Sequence, residues 1–427
     1  MTQGKRDLKV DALYICYWSF EDPLCQTQSL AYLRGLRARG RRFALITFEQ
    51  PEYRLDSAQR AAVERELREE GIYWYPLKYH KRFPILATAY DCLRGVLTGI
   101  FIALRHRPRV VHSRASIPAG MALAISRLCG LKFLYDADSR LSEEYADNGH
   151  WSRTSRAFKI TAGVEAMSRR RADSIVVLSE RLRDDFINEF GVRAPVEVIP
   201  CCVDAGAFQF SERAREARRR ELGLNDEKLL VYAGKTGGRY LTDDMFEFFK
   251  VAGERIPRSR LLVLTGDDPA IFHAIARRHA IEASDYYVKH SSRQEMPEWL
   301  SACDAGLAFI RSASCERGSS PVKIGEYLAC GLPVVLTCGI GDYSDLIARV
   351  NLGAVVERPG ASSYIEIADH LAALWAEGER LGKRCRAAAE ANVSLESIAI
   401  ARYEAVYRSL IEATGAICEN ERRGSIE

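Results

Sequence analysis

The stretch of sequence with the clearest chemical meaning is Ser319–Leu336, which reads SSPVKIGEYLACGLPVVL. Ser320 can cap a helix, Pro321 suits the first helical position, and Gly331 suits a left-handed stop before the next strand. The sequence therefore predicts a short helix that carries Lys323 in its first turn.

The position of Lys323 is unfavourable unless something negative lies beside it. A cation in the first turn faces the positive end of the helix dipole, which costs about 0.3–1 kcal/mol. A bound phosphate removes that cost, because free backbone N–H groups, the dipole and the ammonium all point at it. Glu326, one turn further along the same face, would then suit a bidentate hold on ribose hydroxyls. Alternatively, Lys323 and Glu326 form an ordinary ion pair on a solvated helix, worth about 0.2–0.5 kcal/mol. The local sequence leaves both interpretations open.

A second candidate is the loop Gly234–Tyr240, GKTGGRY, which follows a predicted strand. Gly234 and Gly237 let the backbone approach a ligand closely, and Lys235 and Arg239 can neutralise phosphate charge. The same composition also suits a flexible turn with solvated cations. Because this loop and the predicted helix both follow strands of one domain, we expect them to lie at the same edge of its sheet.

Polar residues also follow two predicted strands of the first half of the chain. His112 and Arg114 end one strand, and Asp136, Asp138 and Arg140 end the next. Acid and imidazole groups at strand ends are candidates for a binding cleft. The two aspartates could also chelate a divalent metal together with a sugar diphosphate, and His112 could equally be a satisfied, partly buried histidine.

These residues depend on the elements that position them. Short apolar runs alternate with helical patterns, which predicts parallel sheets with helices on both faces. The charge-rich segment Ser211–Arg220 interrupts this alternation as a boundary region would. We expect an α/β protein with two doubly wound, Rossmann-like domains, residues 1–205 and 206–394, facing a central cleft. A last helix, about residues 395–420, could belong to either domain and could pack back on the first. The predicted strands are Ala12–Cys16, Phe43–Phe48, Tyr73–Pro76, Val110–Ser113, Phe133–Asp136, Ile175–Leu178, Val196–Ile199, Leu229–Ala233, Leu261–Thr265, Tyr286–Val288, Gly306–Ile310, Val334–Thr337 and Ala354–Val356.

Composition restricts the class of protein. The 427 residues are 47% apolar and 28% charged, as in ordinary soluble globular proteins, and a net charge of +4 argues against duplex nucleic acid as a partner. Twelve scattered cysteines indicate free thiols in a reducing compartment. The polar start Met1–Val10 shows no secretory signal, and Ile85–Leu104, which carries Asp91 and Arg94, fits a packed helix better than a membrane span. We therefore expect a cytoplasmic protein.

The run SSPVKIGEYLACGLPVV resembles the donor-site helix of glycosyltransferase family 4, the retaining GT-B enzymes. Further similar pieces occur in the family's order over about residues 10–340. They are Glu21–Gly40, Ala172–Glu180, Val198–Asp204, Leu230–Tyr240 and Met296–Ile310.

The resemblance implies a nucleotide-sugar donor on the second domain and an acceptor on the first. Glu326 would bind the donor ribose, Lys235 and Lys323 would neutralise the diphosphate, and the hydroxyls or backbone of Ser319 and Ser320 would donate to it. The donor-binding residues expected in this way are Gly234, Lys235, Gly237, Arg239, Gly318, Ser319, Ser320, Lys323 and Glu326, and those expected on the acceptor side are His112, Arg114, Asp138 and Arg140.

The chain departs from the family pattern at two positions. Many members have an acid that touches the transferred sugar eight residues before the position of Glu326, where this chain has Gly318; the nearby Glu316 is the candidate to replace it. Many members also have a histidine at the position of Asp136, so Asp136 is expected near the anomeric carbon. The catalytic residues expected are thus Asp136, Lys235 and Lys323.

The activity implied is retaining transfer from a UDP- or GDP-linked sugar to a hydroxyl of a saccharide or lipid-linked saccharide, in cell-surface polysaccharide or glycan synthesis. No metal and no other cofactor are expected. Basic clusters at Arg34–Arg42, Arg169–Arg171 and Arg213–Arg220, with the apolar Ile85–Leu104, suit peripheral contact with the inner face of the cell membrane, or simply solvated helix faces. Two other functions stay open: a catalytically silent sugar-nucleotide-binding partner subunit, and a GT-B epimerase or phosphorylase-like enzyme.

Overall fold

The computed structural model describes residues 9–82 and 84–423. The prediction about a secretory signal rests largely on residues 1–8, which lie outside the described residues. The strands are β1 (Ala12–Cys16), β2 (Phe43–Glu49), β3 (Ile72–Lys78), β4 (Val110–Arg114), β5 (Lys132–Ala137), β6 (Ser174–Val177), β7 (Val196–Val198), β8 (Lys228–Ala233), β9 (Ser259–Leu264), β10 (Tyr286–Lys289), β11 (Ala305–Ala308), β12 (Val334–Thr337) and β13 (Gly353–Val356).

Helices follow most strands. They are α1 (Pro23–Cys25), α2 (Ala31–Ala38), α3 (Ser57–Glu69), α4 (Pro84–His106), α5 (Ser116–Cys129), α6 (Leu141–Asp147), α7 (Arg156–Arg171), α8 (Glu180–Asp184), α9 (Glu212–Glu221), α10 (Thr242–Arg255), α11 (Pro269–Arg278), α12 (Met296–Ala302), α13 (Val322–Ala329), α14 (Tyr343–Val350), α15 (Ala361–Trp375), α16 (Glu379–Val393) and α17 (Ala401–Arg423). Wider π-helical turns occupy Gln26–Leu30, Asp185–Glu189 and Leu395–Ile400, and short 3-10 turns occupy Pro51–Tyr53 and Ser314–Gly318.

The chain divides into two units. The first comprises the residues up to Pro200 together with those from Ala399 onward, and the second is Cys201–Ile398. Within the described residues, the first unit has a seven-stranded parallel sheet in the order β3-β2-β1-β4-β5-β6-β7, and the second a six-stranded parallel sheet in the order β10-β9-β8-β11-β12-β13. Both orders are those of Rossmann-like folds, in which ligands gather where the strand order reverses. The predicted α/β fold with two Rossmann-like domains is confirmed.

Apolar strands form the centre of each unit, as expected of parallel sheets covered by helices on both faces. In the first unit, Leu13 and Val111 lie fully buried beside Ile125 of α5. In the second, Val231 packs with Leu328 of α13 on one face of the sheet, and Tyr232 packs with Phe246 of α10 in a separate cluster. These cores fix where each strand ends, and therefore where the residues after the strands lie.

The segment Ser211–Arg220, predicted as a charged boundary region at the surface, is mostly exposed and follows shortly after Cys201, where the second unit begins. It forms most of helix α9, and Arg215 on this helix donates to the carbonyl oxygens of Ser301, Ala302 and Cys303 at 3.0–3.2 Å. These carbonyls lie at the carboxyl end of α12, where a guanidinium satisfies unpaired acceptors and the helix dipole. The segment is thus an integral part of the second unit.

Candidate active site

The glycine loop after β8 has a backbone that only glycine adopts easily. Gly234, Gly237 and Gly238 have φ angles of +150°, +78° and +59°, in the region where a Cβ atom is strained. The backbone N–H of Gly234 donates to the carbonyl of Leu264 at 2.9 Å, which holds the loop at the end of its strand. Lys235 is exposed, and among the described residues its ammonium has no partner.

The predicted helix forms, but it begins slightly later than predicted. Pro321 is the N-cap of α13 rather than its first residue, and Ser320 does not cap it. The Ser320 hydroxyl instead accepts the backbone N–H of Cys201 at 3.1 Å, which anchors the start of the second unit. Gly331 has the left-handed conformation that the sequence predicts, with φ +81°.

Lys323 lies in a buried, aromatic environment. It is 8% exposed, and within the described residues its Nζ has no hydrogen-bond partner. The ammonium lies 4.5 Å from the ring centre of Tyr232 and 4.4 Å from that of Tyr240. Two aromatic faces stabilise a cation in part but leave its three N–H donors free. The structure thus presents an unpaired donor at the start of a helix.

The alternative of an ion pair between Lys323 and Glu326 is wrong. Among the described residues, Glu326 pairs with Arg293 at 3.4 Å, and no ion pair joins it to Lys323. Burial first, and then the charge of Arg239, lower the pKa of Lys323 to about 7, against the charge of Glu326. Burial raises the pKa of Glu326, against Arg293 and Lys323. Both groups therefore lie in a site that favours an additional charged partner.

Arg239 connects the glycine loop to the segment before α13. Its guanidinium lies 3.2 Å from Glu316 and donates to the Ser319 hydroxyl at 3.3 Å. Glu316 is 2% exposed, and Gly318 and Ser319 are also buried. Glu316, the predicted replacement for the acid missing at Gly318, is therefore paired with Arg239 of the glycine loop in this structure.

The close approach of Lys323 to the glycine loop gives a test. A Cβ atom added at Gly234 would lie 2.5 Å from the Lys323 Nζ and would meet a strained φ. Gly234→Ala is therefore expected to weaken the binding of the nucleotide-sugar donor predicted for this loop about tenfold or more and to lower the stability by about 1 kcal/mol. Isothermal titration and urea unfolding measure the two effects. Gly266→Ala, in open space at a negative φ, is the control; equal affinities of the two variants would contradict the assignment.

In the first unit, the residues expected at the acceptor side form a buried network. Arg114 donates to both oxygens of Asp136 at 2.9 and 2.7 Å, and the Tyr403 hydroxyl donates to the same carboxylate at 2.6 Å. Nδ1 of His112 lies 2.7 Å from the Tyr407 hydroxyl, and its Nε2 lies 3.5 Å from Asp136. All three strand-end side chains are at most 2% exposed.

Charges in this network are set by burial and by each other. Burial alone would raise the pKa of Asp136, but Arg114, His112 and Tyr403 together hold it below its ordinary value. Burial lowers the pKa of His112, against the pull of Asp136, so the imidazole is neutral at pH 7. The carboxylate of Asp136 thus has protein partners, and its contact with a sugar stays a prediction.

Asp138 and Arg140 lie beyond β5 and are half-buried. Burial raises the pKa of Asp138 to about 7, against the charge of Arg114. This places Asp138, rather than Asp136, in the range where a carboxyl group exchanges protons at neutral pH. Within the described residues, no group of three or more His, Cys, Asp and Glu side chains is placed to hold a metal ion.

Several tyrosines complete these sites and are missing from the residues predicted. Tyr232 and Tyr240 flank the Lys323 ammonium, and the Tyr327 hydroxyl accepts the backbone N–H of Ala233 at 2.8 Å. Gly306 makes room for the Tyr327 ring, which holds α13 against β8 and β11. Tyr240 could have been found from its place in the predicted glycine loop, whereas Tyr232 lies in an apolar strand and gives no such signal.

Two domain families match most of the chain. The family described as "Glycosyl transferase 4-like domain" matches residues 25–202, and the family described as "Glycosyl transferases group 1" matches residues 227–376. The first range contains the strand-end residues His112, Arg114 and Asp136, and the second contains Lys323 with Tyr232 and Tyr240. No curated protein sequence matches the chain.

Solved structures with the same fold cover nearly the whole chain. Sucrose-phosphate synthase from Thermosynechococcus elongatus is 17% identical with a TM-score of 0.71, covering 94% of this chain and 99% of its own. HepE of Anabaena, solved with UDP and glucose, is 15% identical with a TM-score of 0.68, covering 93% and 99%. WaaG, a glycosyltransferase involved in lipopolysaccharide biosynthesis, is 16% identical with a TM-score of 0.68, covering 93% and 99%. With both domain families matched in order and this fold, the chain belongs to glycosyltransferase family 4 and is a glycosyltransferase of the GT-B fold.

Proposed function

We propose that this enzyme transfers a sugar from a UDP-linked donor to a hydroxyl group of a saccharide or lipid-linked saccharide, with retention of the anomeric configuration. The observation that carries the proposal is the buried ammonium of Lys323 at the start of α13, beside the glycine loop, which has no hydrogen-bond partner in the described part of the chain. A pyrophosphate supplies the negative oxygens that this ammonium and the helix N-terminus lack. HepE of Anabaena was solved with UDP-glucose, which supports UDP as the nucleotide.

The chemistry requires stabilisation of the departing diphosphate. In an oxocarbenium-like transition state the bond from C1 to the diphosphate oxygen breaks while the acceptor oxygen bonds to C1 from the same face, and the acceptor proton passes to the departing phosphate. Lys323 and the N-terminus of α13 stabilise the negative charge that develops, with Lys235 and Arg239 of the glycine loop in support. Glu326 holds the ribose hydroxyls.

A thermal-shift screen with UDP-, GDP-, ADP- and CMP-linked sugars tests the donor assignment. The melting temperature is expected to rise with the logarithm of the UDP-sugar concentration, because the donor binds only the folded chain. A coupled assay for released UDP then measures transfer or slow hydrolysis. A silent partner subunit would bind without releasing UDP, and no shift with any donor would contradict the proposal.

We further propose that the enzyme works at the cytoplasmic face of a membrane, and helix α4 supports this. Within the described residues, the one helix long and apolar enough to cross a membrane is Ile85–His106. One face packs against α5, where a Cβ atom at Gly95 or Gly99 would overlap Met121 or Ile125. The helix is therefore a packed part of the first unit, as its Asp91 and Arg94 predict.

The other face of α4 is apolar and exposed. Leu86, Leu93, Leu97 and Leu104 are 71%, 56%, 58% and 75% exposed. They follow one another at about one or two helical turns and so share one face along about 27 Å of helix. Large exposed apolar surfaces often mark sites that contact a membrane or another protein. Exposed arginines follow at the end of the helix (Arg105, Arg107 and Arg109), which suits a bilayer with anionic lipids. The involvement of WaaG in lipopolysaccharide biosynthesis supports an acceptor for the cell surface.

Vesicle sedimentation tests this surface. The wild-type chain is expected to sediment with phosphatidylcholine vesicles that contain about one third phosphatidylglycerol, less at high salt, and Leu93→Glu/Leu97→Glu is expected to reduce the bound fraction about tenfold. Ile271→Glu, at an exposed apolar position of α11, is the matched control. Failure of the wild-type chain to sediment with these vesicles would dispose of the membrane proposal.

A further inference from the structure

A buried aspartate in α4 holds a histidine at the carboxyl edge of the first sheet. Asp91 is fully buried, with Oδ1 2.6 Å from Nδ1 of His80, and its Oδ2 accepts the backbone N–H of His80 at 3.0 Å and the Tyr17 hydroxyl at 3.1 Å. His80 follows β3 and Tyr17 follows β1 directly. The cluster therefore joins two strand ends to α4, on the edge where parallel sheets bind ligands.

Fixed orientation of the imidazole is the consequence of this contact. A carboxylate only accepts hydrogen bonds, so Nδ1 of His80 carries a hydrogen and Nε2 lies on the opposite side of the ring. The His80 side chain is 32% exposed, and among the described residues Nε2 has no hydrogen-bond partner. Among the described residues, His80 is the one ion-pair partner of the buried Asp91. Because burying a carboxylate with so little compensation costs stability, the pair does not stabilise the fold. Such an arrangement is typical of a group that must be oriented for a ligand.

An exposed aromatic ring lies beside this imidazole, and further tyrosines lie close to it in the sequence or beside Tyr17. The Tyr90 ring lies 5.2 Å from that of His80 in an edge-on arrangement, and Tyr90 is 53% exposed. Tyr79 directly precedes His80 in the sequence and is half-buried, and its ring lies 5.5 Å from that of Tyr17. Exposed rings present apolar faces to the C–H groups of a pyranose, while an adjacent ring nitrogen bonds its hydroxyls. A single oriented polar group among aromatic faces is the chemistry of saccharide recognition.

We propose that Tyr79, His80 and Tyr90 form the subsite that binds the acceptor saccharide, with Asp91 and Tyr17 as positioning residues. A hydroxyl of the acceptor bonds Nε2 of His80, and a sugar ring packs on Tyr90. The inference rests on the proposed function for the identity of the reaction, but the binding of a saccharide here does not require the donor site. It moves the acceptor from the buried His112 and Arg114 to the half-exposed residues after β3.

An array of immobilised mono- to tetrasaccharides, probed with the full-length chain, tests the subsite. His80→Asn keeps an amide N–H for Asp91 but lacks a group at the position of Nε2, so it is expected to fold normally and to lose saccharide binding about tenfold or more. Tyr90→Ala is expected to lose a similar amount by removal of the stacking face. Both variants should keep the thermal shift with UDP-glucose.

The matched control is His150→Asn. His150 also lies beside a tyrosine ring, 5.5 Å from Tyr145, but it is exposed and without a carboxylate partner among the described residues. Saccharide binding by His80→Asn equal to that of the wild-type chain would overturn the subsite, as would a wild-type chain that binds UDP-glucose and no saccharide. A wild-type chain that binds saccharides without any donor shift would support the subsite and contradict the proposed function instead.

Discussion

Lys323→Met is expected to lower the rate of UDP release with UDP-glucose by about 100- to 1000-fold, the loss typical when one preorganised transition-state donor is removed. Methionine fills a similar volume between Tyr232 and Tyr240 but brings no charge to the departing diphosphate. Steady-state kinetics with the coupled UDP assay measure the effect. Lys250→Met, at an exposed position of α10, should leave the rate unchanged.

The same substitution is expected to make the ligand-free chain more stable. The pKa of Lys323, about 7 in the folded chain, lies below the value of about 10.4 in an unfolded chain. The folded state therefore binds protons more weakly, so the penalty of this lysine is complete below pH 7 and fades as the pH rises toward 10. Melting curves of Lys323→Met and wild type should differ by a few degrees at pH 6 and converge at high pH.

For the kinetic prediction, a rate of UDP release in Lys323→Met equal to that of the wild-type chain would remove Lys323 from the donor site.

Arg114→Met is expected to destabilise the first unit by about 3–5 kcal/mol, because it leaves the carboxylate of Asp136 buried without a counter-charge. Asp136 is fully buried, and burial is the largest influence on its pKa. The double variant Arg114→Met/Asp136→Asn removes both charges and should recover most of the loss. Urea unfolding of the single and double variants completes the cycle.

Acid pH should shrink the effect of Arg114→Met. The low pKa of Asp136 in the wild-type chain contributes stability that is present above about pH 4 and lost as the pH falls through the folded pKa. The exposed Arg171→Met should change stability by no more than about 0.5 kcal/mol. A double variant as unstable as Arg114→Met would show that the guanidinium acts through packing and not through its charge.

Local pattern predicts much of this fold. The run Val334–Thr337 is β12, with the predicted bounds, because four β-branched or apolar residues lie between a proline turn and a polar loop. The bounds of β11 differ: the prediction was Gly306–Ile310 and the strand is Ala305–Ala308. There, Tyr240 pairs with Ile310 in an isolated bridge, a partner that no local pattern contains. The prediction that Ser320 caps α13 is wrong for a similar reason. Its hydroxyl accepts the backbone N–H of Cys201, a residue far away in the sequence.

Part of each candidate site depends on contacts that sequence spacing does not show. Lys323 could be assigned to an anion site because the helix dipole acts over one turn. Its aromatic neighbour Tyr232 lies in β8, far from Lys323 in the sequence. The apolar pattern of this strand predicts only a buried core residue at that position. The same holds for Tyr403, which reaches Asp136 across 267 positions of sequence. Such pairs follow from topology, which becomes known only when the sheets are assembled.

The return of α17 to the first unit has a consequence for synthesis of the protein. The second unit, Cys201–Ile398, is inserted between two parts of the first. When strands β4 and β5 have left the ribosome, Tyr403 and Tyr407 have not yet been synthesised. Their hydroxyls complete the buried network of His112 and Asp136. The first unit therefore cannot complete its internal pairing until the chain has been synthesised past Tyr407, and a fragment that stops before Ala399 would leave polar groups of its interior without these partners.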